Sequence, residues 1–359
     1  MANRNVAVYG AYGHTGRFVV SELLKRGWMS TLCGRDLGKL NILARANTGL
    51  ALRQASVDDP ASLDRALVGT AAVINCAGPF VRTAEPMIEA ALRAHIPYFD
   101  IGAEIEVAVT VFERYSERAR QAKIAVMPAM AFYGGLGDLL ATAAMDNWPA
   151  ADEVSIAYGL SSWKPTLGTR ATSAVSVQRR NGQRIVFSNY KMRFRTDEAP
   201  TTVWTFPEPI GAQPVVGEFT MADTVLIAHH LKTPEIRSFM TTAAVRDLSG
   251  EDLSPPAPID ESGRSAQTFL VEVVARLGTI ERRAVARGQD IYAVSAPLVV
   301  EAMRRVLSGS NGRGGVFAAG EIFEPRDFLM SLCPEHLAVE LSCTTSPSVR
   351  IRNDARNEL

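Results

Sequence analysis

Three glycines, Gly10, Gly13 and Gly16, follow the apolar run "NVAVY" and open a helix-like segment at the head of the chain. Glycines at that spacing, between a strand and a helix, suit the pyrophosphate of a dinucleotide. Gly10 permits the tight turn, Gly13 lets the backbone approach the phosphates, and Gly16 lets the helix lie close to the strand. The unpaired N–H groups of the helix's first turn then face the anion. Tyr12, His14 and Thr15 fill the loop, with His14 read as a tolerated side chain rather than a catalytic group. The plain alternative is a Gly-rich turn without a ligand.

Cofactor choice is made at the end of the second strand, where NAD-binding sheets place an acid against the ribose 2′-OH. Here "TLCGRD" offers Gly34 and Arg35, with Lys39 a helical turn further on. A glycine leaves room for a 2′-phosphate and a guanidinium can grip it in a bidentate manner. Asp36 stands beside Arg35, so NADP is expected and NAD is the alternative. Further strand ends should face the same crevice: Val57 and Asp58 by the adenine, and Cys76, Ala77, Gly78 and Pro79 along the dinucleotide. Cys76 reads as a buried small residue, since no neighbour in sequence would activate its thiol.

Hydride transfer asks the protein for position and for a proton donor. None of the eight tyrosines is followed by a lysine four residues later, which removes the short-chain dehydrogenase mechanism. No metal-ligand spacing is present, and no metal is expected. Asp100 and Glu104, beyond the fifth strand, and Tyr133, in a Gly-rich turn after the sixth, are the candidate catalytic groups. A carboxylate there serves equally as an acid, a ribose anchor or a helix cap. Thr169 and Arg170 are candidates for substrate contact, Arg170 as a carboxylate or phosphate clamp. The adjacent His229 and His230 read as a strand pair at a surface or domain boundary.

The elements that must position these residues fall into two rhythms. Through residue 130 strand-like runs alternate with helical stretches of ten to fifteen residues, as in a doubly wound parallel sheet of Rossmann type. "DPASLDRALVG" carries its own start signal, an Asp cap followed by Pro. From 131 to 285 the pattern is β-rich and partly alternating, an α+β unit with a mostly antiparallel sheet and a hairpin at "LGTIERR". Residues 286–325 return to a helical pattern expected to pack on the first domain. Residues 345–359 have little to bury and are expected to be disordered.

Composition narrows the class. Thirty-eight Lys and Arg balance thirty-eight Asp and Glu, so no net field favours nucleic acid or an anionic membrane. No apolar stretch reaches the ~18 residues of a membrane span. The N-terminal "MANRNVAVYG" enters a strand at once, and no signal peptide is expected. Four scattered cysteines read as reduced thiols, and a cytoplasmic location is expected.

Three stretches, "GAYGHTG", "GRDLGKL" and "NCAGPFVRTAEPMIEAALRAHIPYFDIGAE", resemble the saccharopine dehydrogenase-like oxidoreductases, a family that includes trans-acting enoyl reductases. "ARGQDIYAVSAPLVVEAMRRVL" resembles the family's Gly-x-x-x-Tyr and returning helix more loosely. The resemblance implies a Rossmann-type NADP domain, a small-molecule substrate and a homodimer. Where family members carry "GFDSxPxD", this chain reads "AFYGGLGDLL", which retains only Asp138. Two readings stand: an NADP-dependent oxidoreductase reducing or oxidising C=N, C=O or C=C in an interdomain cleft, and a nonenzymatic NADP(H) sensor. A closed pocket beside the nicotinamide favours the first, a flat face the second.

Overall fold

Val6, Ala7 and Val8 are wholly buried, as expected of a central strand covered on both faces. They lie in β1 (Asn5–Tyr9), and the computed structural model describes residues 3–250, 252, 254–309 and 313–344 around it. The alternation predicted for the first third is present throughout. It runs α1 (His14–Lys25), β2 (Met29–Gly34), α2 (Leu37–Ala46), β3 (Leu52–Gln54), α3 (Pro60–Leu67) and β4 (Ala72–Asn75). It continues with α4 (Phe80–Ala94), β5 (Tyr98–Asp100), α5 (Ile105–Ala122) and β6 (Ala125–Met127). Asp59 caps α3 by accepting from Ser62 N at 3.2 Å, with Pro60 in the first helical position, as its sequence signal predicts.

A wide turn, Phe132–Leu136, then delivers the chain into α6 (Gly137–Met145), every residue of which is buried except Thr142, itself partly covered. The second half follows as β7 (Glu153–Leu160), α7 (Leu167–Arg180), β8 (Arg184–Ser188), β9 (Lys191–Arg195), β10 (Thr201–Thr205) and β11 (Ala212–Gly217). Then come α8 (Ala222–His230), β12 (Glu235–Thr241), α9 (Thr242–Ser249), β13 (Thr268–Leu277) and β14 (Ile280–Gln289). The described chain closes with α10 (Ser295–Leu307), β15 (Gly315–Val316), α11 (Ala319–Ile322), α12 (Pro325–Met330) and β16 (Leu337–Thr344).

The first sheet is entirely parallel, in the order β15-β6-β5-β4-β1-β2-β3. The second runs β10-β11-β12-β7-β13-β14-β16, with the β8–β9 hairpin attached to β12. All its pairs are antiparallel except β12 with β7. The doubly wound parallel sheet and the α+β second unit are therefore the architecture of the chain. The expected hairpin is the β13–β14 turn, in which Leu277 pairs with Ile280 across Gly278 and Thr279.

The two sheets share one core. α6 lies against β13 and β14, and α10 packs on α1 of the first sheet. Leu139, Val273 and Leu298 are buried together with Val8 and Phe99. Each such side chain contributes about 2 kcal/mol on leaving water. Glu301 on α10 binds Arg26 at 2.7 Å while also meeting Arg304 and Arg305. Burial opposes its charge, but the guanidinium bonds outweigh it and hold the carboxyl down at about 2.

Two local expectations are corrected. His229 and His230 end a helix, α8, because Ala222, Val225 and Leu226 are buried at helical spacing there. Within the span read as β-rich, 131–285, the chain also turns from β12 into the helix α9 at Thr242. Short apolar runs carry no period long enough to tell these states apart. Residues 345–359, expected to be disordered, lie outside the described residues.

Candidate functional site

The β1–α1 loop is shaped by contacts that exclude side chains. Gly10 has φ +80°, and a Cβ there would come within 2.9 Å of Ala77 Cβ. A Cβ on Gly16 would lie 2.3 Å from the Gly10 carbonyl oxygen. The loop is thus pressed between α1 and the turn after β4. Gly13 stands at the N-cap of α1 with no side chain closing the helix end. The amides of its first turn, around His14 and Thr15, are left for an anion. The His14 ring meets Tyr292 edge-on at 5.2 Å and Phe18 at 5.4 Å. Desolvation disfavours its charged form.

At the end of β2, Gly34 faces the Tyr12 ring, and a Cβ would fall 2.7 Å from its Cε1. The Lys39 ammonium lies 5.7 Å from that ring's centre. Asp36 is drawn away from any ribose: it caps α2, accepting from Lys39 N at 3.0 Å, and this bond lowers its pKa. The Arg35 side chain is exposed, while its carbonyl accepts from Gln54 Nε2 at 2.9 Å. Val57 is half-buried, and Asp58 is exposed with its carboxylate 3.4 Å from Ser56 Oγ. Ala77 N donates to Asn75 Oδ1 at 3.0 Å, holding the turn that carries Cys76, Gly78 and Pro79. Burial pushes the Cys76 thiol far up, which disfavours the reactive thiolate.

A cavity of about 460 Å³ opens between these loops and the second sheet's elements. Thr15, Cys76 and Gly78 form one wall, and Trp163, α7 and Tyr292 the other. Of the remaining candidates Glu104, Tyr133 and Thr169 line it, whereas Asp100 and Arg170 do not. Asp100 is 1% exposed, and its oxygens accept from Tyr98 Oη at 2.9 Å, Gly102 N at 2.9 Å and Ala129 N at 2.8 Å. It clamps the end of β5 to the loop after β6, and burial raises its pKa. Arg170 donates to the carbonyls of Gly250, at 3.4 Å, and Asp252, so its guanidinium is turned to the loop beyond α9.

Glu104 faces the cavity but binds the start of α4, accepting from Phe80 N at 2.6 Å and Val81 N at 3.0 Å. Burial raises its pKa against the pull of those two amides. Tyr133 is 7% exposed, with its ring 5.3 Å from Trp163 and 5.1 Å from Tyr158. Its hydroxyl is buried without a partner among the described residues, and burial raises its pKa well above the ordinary value. Thr169 Oγ1 lies 3.0 Å from Tyr292 Oη, which also receives Trp163 Nε1 at 3.2 Å and Thr166 N at 3.3 Å. Tyr292 thereby ties the start of α7 to the loop that carries His14. Its only signal in the sequence is the Tyr of the Gly-x-x-x-Tyr pattern. Trp163 and Phe219 give the cavity aromatic walls, while Trp204 and Phe206 pack with Phe239 in a separate cluster.

Behind Tyr133 sit buried acids. Asp138 Oδ1 bonds His230 Nε2 at 2.7 Å and its Oδ2 accepts from Gly320 N at 2.7 Å. Burial opposes charge on His230, but Asp138 outweighs it and raises its pKa. Asp223 accepts from the Tyr158 hydroxyl, and desolvation, with Asp138 nearby, pushes it up to about 7. A folded-state pKa above the unfolded 3.8 means the native state holds the proton more tightly, so stability falls as pH rises from 4 through 7. Asp223→Asn removes that loss, which is on the order of 4 kcal/mol. Its melting temperature is expected to exceed the parent's by several degrees at pH 8 and to match it near pH 4. Equal shifts at both pH values in thermal unfolding would refute the assignment.

Residues 6–130 match the family model of the saccharopine dehydrogenase NADP binding domain. This first domain is therefore similar to the NADP binding domain of the saccharopine dehydrogenases. The "Probable mitochondrial saccharopine dehydrogenase-like oxidoreductase" of Arabidopsis thaliana is 28% identical over 145 residues, 36% of this chain and 32% of that protein. The "Saccharopine dehydrogenase-like oxidoreductase" of Bos taurus is 27% identical over 148 residues, 36% and 34% of the two chains. The "Lipid droplet localized protein" of Caenorhabditis elegans is 29% identical over 141 residues, 36% and 33%. The chain thus spans about a third of the length of the curated relatives it matches. The saccharopine dehydrogenase (L-Glu forming) of Saccharomyces cerevisiae shares the fold over 94% of this chain and 100% of its own, with a TM-score of 0.65 and 12% identity.

The expected cytoplasmic location is overturned by these relatives, whose names place one in mitochondria and another at lipid droplets. Scattered cysteines without a pairing pattern do not single out the cytoplasm. Among the described residues no helix is long and apolar enough to cross a membrane.

Proposed function

We propose that this protein is an NADP-dependent oxidoreductase working in the cavity between its two sheets. The observation that carries the reading is the shared wall: nucleotide-loop residues Thr15, Cys76 and Gly78 bound the same space as Tyr133, Trp163 and Tyr292. Such a walled site favours an enzyme over a nonenzymatic sensor, for which an exposed face would suffice.

The residues fit the dinucleotide. The close approaches at Gly10 and Gly16 and the uncapped start of α1 form a cradle that an added Cβ would fill. Arg35, exposed beside Gly34, and Lys39 would meet the 2′-phosphate, with Asp36 held out of the way on α2. Val57 and Asp58 would flank the adenine, and Ala77 to Pro79 the dinucleotide backbone. When bound, the nicotinamide supplies or accepts a hydride. Tyr133, whose ring lines the cavity and whose hydroxyl has no partner among the described residues, is the proton donor of this reading. Glu104 steadies α4, Asp100 fixes the floor between β5 and β6, and Thr169 with Tyr292 sets α7 over the substrate. A homodimer belongs to the same reading and is checked by sedimentation velocity.

Tryptophan-to-nicotinamide fluorescence titration tests the cofactor assignment. NADPH is expected to bind more tightly than NADH, and Arg35→Ala to weaken NADPH about tenfold or more while changing NADH little. That is the loss of one charge-assisted contact of ~1.5–3 kcal/mol. Equal weakening of both nucleotides would remove Arg35 from the 2′-phosphate site.

A further inference from the structure

We propose that the cavity takes an uncharged, largely apolar substrate. This rests on the oxidoreductase reading above and specifies what that site receives.

The walls are aromatic and aliphatic, with Phe132, Trp163, Phe219, Met221 and Ile185 facing the space. Every charged side chain on them is compensated in place. Arg180 Nε pairs with Glu106 Oε1 at 2.9 Å. Arg184 pairs with Glu218 at 2.7 Å and with Asp197 at 3.2 Å. Glu104 is bound to the amides of Phe80 and Val81. A carboxylate or phosphate entering this space would have to displace Glu106 or Glu218 from an arginine, and it would meet the Glu104 carboxylate. A buried anion without its own cation is strongly disfavoured. Arg170, the cation that could have clamped an acid, donates to loop carbonyls instead.

The fold itself meets part of the polar lining. Tyr292 Oη is engaged by Trp163, Thr166 and Thr169, and Ser295 Oγ by Phe132 N and Ile291 O. The hydroxyls that also line the space, among them Thr15, Ser173 and Thr220, are neutral, so they serve neutral polar groups on a ligand and supply no counter-charge to an anion.

N-phenyl-1-naphthylamine and 8-anilino-1-naphthalenesulfonate share one ring system and differ by a sulfonate, so they separate apolar fit from charge. Both are titrated by fluorescence into the protein saturated with NADP⁺, which keeps the sulfonate out of the pyrophosphate cradle. The neutral probe is expected to bind one-to-one and at least tenfold more tightly than the sulfonate. Phe219→Glu, which sets a carboxylate in a half-buried wall position, is expected to weaken the neutral probe at least tenfold and leave NADPH affinity unchanged. Equal affinity for the two probes, or neutral binding indifferent to Phe219→Glu, with NADPH still bound, overturns the substrate class alone. Failure of NADPH and NADH to bind overturns the oxidoreductase reading, and this inference falls with it.

Discussion

Tyr133→Phe is expected to lower kcat about 100- to 1,000-fold and, unusually for a buried substitution, to raise stability. The first half follows from the proposed role as proton donor, a contribution of general-acid catalysis of that size. The second follows from the buried hydroxyl, which has no partner among the described residues. An unsatisfied buried hydroxyl costs about 1–3 kcal/mol, so its removal stabilises the fold by a similar amount. The phenyl ring keeps its place against Trp163 and Tyr158, and NADPH affinity should stay within about twofold. NADPH oxidation and thermal unfolding on the same samples check both halves. A drop in melting temperature would mean the hydroxyl is bonded after all. Unchanged turnover would remove Tyr133 from the chemistry.

Gly16→Ala is expected to abolish binding of NADPH and NADH alike, by ~100-fold or more, and to destabilise the fold by about 1–3 kcal/mol. The added Cβ meets the Gly10 carbonyl at 2.3 Å and the Ala11 carbonyl at 3.0 Å, both of them backbone atoms that no rotamer change can move. The loop can yield only by lifting off α1, which dismantles the cradle. Gly69→Ala is the control. Unlike Gly16 it has a positive φ, +70°, and nothing lies within 4 Å, so it should cost about 1–2 kcal/mol in strain and leave nucleotide binding intact. Isothermal titration and thermal melts on both variants distinguish loss of the site from loss of the fold. Because Arg35→Ala should weaken NADPH alone, the two substitutions separate the pyrophosphate contact from the 2′-phosphate contact.

The two halves of the chain differ in how their order arises. α1, β2 and α3 announce themselves through caps, glycines and apolar spacing confined to a few neighbouring residues. The second sheet gathers strands far apart in sequence, pairing β14 with β16 and β7 with β12, so its topology has no local signature. The same holds for α10, whose amphipathic pattern is plain but whose choice of α1 as a partner is made across some 270 residues.

From residue order alone one can read the Rossmann-type alternation, the loop at Gly10, Gly13 and Gly16, the crevice-facing strand ends and the β-rich second unit. These depend on backbone sterics and side-chain periodicity, which act within a turn or a strand. What each polar group does depends instead on which partner the folded chain brings to it. Asp36 was open between ribose and helix until the start of α2 claimed it through Lys39 N. Asp100 and Glu104, similar as carboxylates beside one strand, part company: one reaches 29 residues ahead to Ala129, the other 24 back to Phe80. Arg170 is turned to carbonyls 80 and 82 residues away, and Tyr133 is left with a buried hydroxyl that has no partner among the described residues. A hydrogen bond is satisfied by whatever lies within about 3 Å in space, and distance along the chain places no limit on that.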